Sequence, residues 1–152
     1  MSKEKRRTSS KHRKVLTKTM LLPLSAAVAQ RKSLEHHLAL TTLKYGHGNL
    51  DVVGRLFRAI YVAYFVQDMT SRISDLSNFR AAEAALSQCA VRGKRDDVWL
   101  LSDDGHSAIE TILLLHDQQL ATARSHTVAS AQERIATFLT TEALSPFPSS
   151  SV

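Results

Sequence analysis

The sequence predicts an all-α protein, a compact bundle of four to five helices that follows a disordered basic N-terminal arm. Of its 152 residues 43% are hydrophobic, with only 5 Gly and 3 Pro, a composition typical of one folded, helix-rich domain. Apolar side chains recur at helical spacing along most of the chain, and positive charge is concentrated near its start. We expect the arm at residues 1–19, the helical domain at 20–145 and a disordered tail at 146–152.

The first predicted helix covers residues 25–45, where Leu34 and Leu38 share an apolar stripe. Its start is open, since residues 20–30 fit a helix, a linker or a signal-like segment. After it, Gly46 suits a left-handed C-cap and Asn49 suits the N-cap of the next helix.

The second predicted helix, residues 50–74, is the most apolar part of the chain. Its apolar side chains cover more than one helical face, which indicates a central helix contacted from several sides. Its β-branched and aromatic residues also allow a strand pair, but its length and the lack of internal turn residues favour a helix. The apolar residues are Val52, Val53, Leu56, Phe57, Ile60, Val62, Tyr64, Phe65 and Met69.

A third predicted helix covers residues 79–91, with Ser77 or Asn78 as its N-cap and Gly93 at its end. A charged loop follows, and residues 98–101 form an apolar patch, either a turn that docks on the body or the first turn of a helix.

The fourth predicted helix covers residues 106–125, with His116 on its buried side and Asp103 or Asp104 as its cap. The last helix, residues 128–144, is either separate or continuous with the fourth, because neither Gly nor Pro lies between them.

The basic arm carries the strongest functional signal. Residues 1–19 hold eight Lys and Arg against Glu4 alone, a net charge of +7, so the other residues carry 6 − 7 = −1. Such a segment neutralises phosphates and binds DNA, RNA or an anionic membrane with little sequence preference. The absence of aromatic residues argues against base stacking. The alternative is a solubilising tail. The predicted phosphate contacts are Lys3, Lys5, Arg6, Arg7, Lys11, Arg13, Lys14 and Lys18.

No residue pattern indicates an enzyme or a cofactor, since the sequence has no nucleophile elbow, Walker loop, dinucleotide fingerprint or His-Glu-x-x-His motif. His106 and Glu110 have the spacing of a metal-ligand pair, but we expect solvated or capping side chains. The acidic pairs 96–97 and 103–104 lack the alternation of a calcium loop. Cys89 is expected to be a buried structural thiol.

The chain is expected to be cytoplasmic, with no membrane span. The longest apolar run, residues 59–66, is far shorter than the ~18 residues that a span requires. A single cysteine cannot form an internal disulfide. The alternative is secretion, since residues 27–29 have the small-x-small form of a signal cleavage site.

Residues 38–65, reading LALTTLKYGHGNLDVVGRLFRAIYVAYF, resemble the C-terminal DNA-binding region of the Fis (factor for inversion stimulation) family. Gly48 and Asn49, between two helices, carry this resemblance. The chain also resembles short bacterial proteins labelled as Fis-family regulators, which share the basic start and the segments 33–40 and 61–65. The resemblance implies DNA association and transcriptional regulation. It implies no recognition residues, because 56–65 is apolar, lacks a turn and offers only Arg58 to DNA.

A second function class also fits the sequence. The apolar surface around the central helix could bind a protein partner or a second copy of the chain, with the arm as a solubilising or localising tail.

Overall fold

The structure is a computed structural model that describes residues 15–71, 73 and 75–149. This part of the chain is all-helical, as predicted, but it contains six helices rather than four to five. They are α1 (Lys18–Leu21), α2 (Ala26–Lys44), α3 (Leu50–Thr70), α4 (Ser77–Asp96), α5 (Asp103–Thr122) and α6 (Ser125–Phe138).

The connection between α2 and α3 matches the prediction. Gly46 has a φ of 75°, in the left-handed region where glycine is favoured. The Oδ1 atom of Asn49 accepts a hydrogen bond from the backbone N–H of Val52 at 3.0 Å and so caps α3.

Helix α3 is the centre of the bundle and contacts α2, α4, α5 and α6. Leu56 and Ile60 are fully buried in the common core, as is Ala63 one turn further on. The predicted central helix is therefore confirmed, and it runs without interruption through residues 56–65.

Helix α4 differs from the prediction at both ends. Its N-cap is Leu76, not Ser77 or Asn78, and the Asp75 carboxylate accepts a hydrogen bond from the Ser77 N–H at 2.8 Å. The helix also continues through Gly93 and ends at Asp96, followed by the C-cap residue Asp97, whose φ is 54°.

Position 93 requires glycine because of side-chain packing, and this glycine does not end the helix. A Cβ at position 93 would lie 2.3 Å from the ring of Trp99, so only glycine allows this ring to lie on α4. The indole N–H of Trp99 donates to the Asp97 carboxylate at 3.0 Å. Residues 98–101 thus dock on the body as predicted, with Leu101 buried.

Helix α5 is capped by Ser102, whose Oγ accepts from the Gly105 N–H at 3.0 Å. The prediction of an Asp103 or Asp104 cap is wrong. Both carboxylates lie in the first turn, where the helix dipole favours negative charge.

Helices α5 and α6 are separate, and α6 is shorter than predicted. Ala123 and Arg124 are extended, and the Ser125 N–H donates to the carbonyl of Leu22 at 2.8 Å. Pairing with this N-terminal segment, rather than a Gly or Pro, ends α5.

The last described residues do not behave as the expected disordered tail. Phe147 is 8% exposed, and its ring packs edge-on against Tyr61, Tyr64 and Phe79. The Ser145 hydroxyl donates to the Glu83 carboxylate at 2.7 Å. The segment 145–147 is therefore part of the folded body.

Candidate functional site

The predicted phosphate-contacting residues fall into two groups. Lys18 is exposed in α1. The other seven lie outside the described residues: Lys3, Lys5, Arg6, Arg7, Lys11, Arg13 and Lys14.

Helix α1, at the predicted end of the arm, is fastened to α6. The Ser125 hydroxyl donates to the carbonyl of Thr19 at 3.0 Å. The Thr17 hydroxyl caps α1 by accepting from the Met20 N–H at 3.4 Å. The position from which residues 1–14 extend is therefore set by contacts with the body.

A polar cavity of about 420 Å³ lies between α2, α3, α5 and α6. Lys32, Arg55 and Arg58 bring three cationic side chains to it, against one carboxylate, Glu35. Its remaining lining residues are two histidines, a glutamine and four apolar side chains: His36, His116, Gln132, Ala59, Val62, Leu120 and Val128.

The three cations form no ion pair with a described carboxylate. Among the residues described, no carboxylate lies within 4 Å of Lys32, Arg55 or Arg58. Their charge is therefore uncompensated by close partners, and guanidinium groups bind carboxylate and phosphate in a bidentate manner.

His116 is 2% exposed and belongs to a buried polar network. The side-chain amide of Gln119 donates to the backbone carbonyl of Ala63 at 2.9 Å. Its Oε1 atom is therefore the acceptor for His116 Nδ1 at 3.0 Å. This network assigns the proton of neutral His116 to Nδ1 and leaves a lone pair on Nε2.

Both cavity histidines are held neutral at pH 7. Burial lowers the pKa of His36 to about 4, with a further lowering by nearby His116. Burial also lowers the pKa of His116, and the hydrogen bond that His116 donates to Gln119 raises it only in part. Their ring centroids are 5.4 Å apart. The Nδ1 atom of His36 is buried without a hydrogen-bond partner, an arrangement that is rare and costs about 1–3 kcal/mol.

The adjacent histidine has a different role. His37 Nε2 donates to the Asp117 carboxylate at 2.7 Å and so joins α2 to α5. Although the two histidines are adjacent in the sequence, only His36 lines the cavity.

The cavity lies next to α1, where the predicted arm joins the helical body. Lys32 lines the cavity and also a groove of about 370 Å³. Leu16 and Met20, on either side of Lys18, line the same groove. Residues 16–20 and the cationic cavity thus lie on the same side of the molecule.

Sequence reasoning assigned none of the cavity residues to a site. One available signal was the pair Arg55 and Arg58, three residues apart on an otherwise apolar helix. A second was Gln119 placed one turn after His116, which is buried as predicted.

The metal alternatives gain no support from the geometry. His106 and Glu110 form a pair at 3.6 Å, without a third ligand. Within residues 15–71, 73 and 75–149, no group of three His, Cys, Asp or Glu could hold a metal ion. Cys89 is buried as expected, and burial raises the pKa of its thiol.

Fold and site together define a helical bundle with a cationic cavity next to α1. Comparison of the chain with models of known families, with curated proteins and with solved structures finds no match. None of the helices described is long and apolar enough to cross a membrane.

Proposed function

We propose that this protein is a DNA-associated helical protein, a cytoplasmic bacterial transcriptional regulator whose N-terminal arm contacts phosphates. The observation that carries the proposal is the separation of charge. Residues 1–14 hold seven of the chain's cations and one acid, a net +6, so the rest of the chain is neutral by 6 − 6 = 0.

The docking of α1 on α6 supports this proposal. Leu16 and Met20, at the C-terminal end of the predicted arm, line one groove with Lys32, and Arg55 and Arg58 line the adjoining cavity. A 14-residue segment can extend at most about 48 Å, at ~3.4 Å per residue. That length matches about 14 phosphates of one DNA strand at a spacing of 3.4 Å.

The central helix is not expected to read bases. Leu56, Ile60 and Ala63 are buried, so α3 cannot enter a major groove. Arg55 and Arg58 are its exposed cations near residue 56. Binding is therefore expected to depend on phosphate contacts, with little sequence preference.

A charge-neutralised arm tests the proposal. The variant replaces the seven cations of residues 1–14 by Gln and keeps residues 15–22, which contact α6. Wild-type protein should bind a DNA duplex with an association constant that decreases as the salt concentration rises. In a plot of log K against log salt concentration, each phosphate contact contributes about 0.9 to the downward slope, which should total about 4 to 6. The variant should lose most of this slope and bind more than about tenfold more weakly.

A matched control removes cations from another part of the chain. Arg92, Lys94 and Arg95 are exposed on the last turns of α4. Their replacement by Gln should change the slope by less than about one contact. Equal binding by wild-type protein and the arm variant would refute the proposal.

A second candidate, self-association, is favoured by a largely apolar groove of about 780 Å³ beside the central helix, which Asp51, Arg55 and Arg58 also line. Phe57 and Tyr61 of α3 line it together with Leu139 and Leu144, which are 62% and 97% exposed. Exposed apolar surface of this kind marks protein interfaces.

Light scattering separates the two candidates. If the groove forms a dimer, the mass should rise with protein concentration, and Leu139→Glu should abolish the rise. The control is Leu114→Glu on α5, which is 53% exposed and outside the groove. A concentration-independent monomer mass would reject self-association.

A further inference from the structure

The cavity between α2, α3, α5 and α6 has features that DNA-phosphate binding does not require. Surface lysines and arginines suffice for phosphate contacts. Here cations stand at the mouth of a cavity whose inner wall holds two neutral histidines and buried apolar side chains.

We propose that this cavity binds a small organic anion, with an oxyanion head group at Lys32, Arg55 and Arg58 and an apolar body inside. The class includes organic phosphate monoesters and carboxylates, which share this head-group chemistry. The proposal needs none of residues 1–14 and is independent of DNA binding.

The volume supports a ligand with a body as well as a head group. The cavity of about 420 Å³ lies within the range of small-molecule sites, ~300–1,000 Å³. Val62, Leu120 and Val128 lie behind the cavity, each at most 5% exposed, and give it an apolar floor. An inorganic anion would fill only part of the volume, so the size of the cavity favours a ligand with a body as well as a head group.

The polar groups inside the cavity support an oriented ligand. The Gln119 contact holds His116 with its Nδ1–H donor occupied and its Nε2 lone pair available to a hydroxyl of the ligand. A buried polar network destabilises the fold unless its donors and acceptors are hydrogen-bonded. Small-molecule sites typically place a few such polar groups among apolar side chains.

The electrostatic balance favours an anion over a cation. Glu35 is the one carboxylate in the lining, and it is exposed. Asp117 lies outside the lining and accepts from His37 at 2.7 Å; its charge raises the pKa values of His36 and His116, but burial outweighs this effect and keeps both lowered. A bound anion would stabilise protonated His36 and His116 and raise their pKa values.

Calorimetry with phenyl phosphate and benzoate on the full chain tests the proposal, together with NMR titration of the histidine rings. At least one probe should bind saturably and shift the signals of His36 and His116. Arg58→Gln and Lys32→Gln, both outside the core, should each weaken binding by about tenfold or more, the loss of one charge-assisted contact. The control Arg92→Gln, with the same charge change on α4, should stay within about twofold.

The outcomes are distinct. Binding of phenyl phosphate alone identifies a phosphoryl ligand, and binding of benzoate alone identifies a carboxylate. Binding should persist in the neutralised-arm variant, whatever the result with DNA. The proposal is overturned if neither probe saturates by about 10 mM, if Arg92→Gln weakens binding as much as Arg58→Gln, or if inorganic phosphate binds as tightly as phenyl phosphate.

Discussion

Removal of the Phe147 ring should destabilise the whole bundle, although the residue lies near the C-terminus. The ring centroid lies 4.8 Å from that of Tyr64, 5.6 Å from Tyr61 and 6.0 Å from Phe79. Buried Phe→Ala substitutions cost about 3–5 kcal/mol. Because a chain end can undock rather than leave a rigid cavity, we expect Phe147→Ala to cost about 3 kcal/mol.

Urea unfolding followed by the fluorescence of Trp99 measures this free energy. A loss of about 3 kcal/mol corresponds to a Tm lower by about 6–12 °C in a chain of this size. Leu144→Ala is the control from the same segment, since Leu144 is 97% exposed, and it should change stability by less than about 0.5 kcal/mol. A loss below 0.5 kcal/mol for Phe147→Ala would show that the segment does not stabilise the body.

Two further predictions concern pH and helix packing. The pKa of His36 is about 4 in the folded protein, against its ordinary value of 6.5 in the unfolded chain. As the pH falls, His36 is therefore protonated in the unfolded chain before it is protonated in the folded protein. Stability should drop by about 1–2 kcal/mol between pH 7 and 4, allowing for solvent screening of a partly exposed ring. Denaturation at several pH values gives the slope of the unfolding free energy against pH, and this slope should be smaller for His36→Gln than for the wild type. A smaller slope for the exposed control His126→Gln would contradict the assignment of the pH dependence to His36. Gly93→Ala should cost about 1–3 kcal/mol because its Cβ would meet the Trp99 ring. Gly54→Ala, with no atom within 4 Å of the new Cβ, should instead stabilise α3 by about 0.5–1 kcal/mol, and thermal unfolding distinguishes these opposite signs.

Features that depend on neighbouring residues were predictable from the sequence. Asn49 caps α3 through a side chain and a backbone group three residues apart. Gly46 supplies the left-handed φ that ends α2. The apolar content of residues 50–70 is sufficient to predict a central helix, because no single exposed face could accommodate it.

Features that depend on distant contacts were not predictable. Gly93 is typical of a helix end, yet it lies inside α4 because Trp99 requires the space. The serine- and proline-rich C-terminus is typical of a tail, yet it contributes Phe147 to an aromatic cluster built mainly by α3. Only tertiary packing reveals such roles.

The cavity escaped prediction for the same reason. Its residues come from four helices, and each segment alone has an ordinary amphipathic pattern. His36 and His116 are 80 positions apart in the sequence, so only the packing of α2 on α5 brings their rings together. The basic arm, in contrast, is a local property of composition and is visible in the sequence.

The burial of Cys89 makes the chain suited to site-specific labelling. It is the single cysteine and is 1% exposed, and its raised thiol pKa slows reaction with alkylating reagents. In the folded protein Cys89 therefore reacts slowly with thiol-directed dyes. A dye attached to Ser10→Cys would then report on the arm alone. In the unlabelled chain, the rate at which Cys89 reacts measures how often α4 opens.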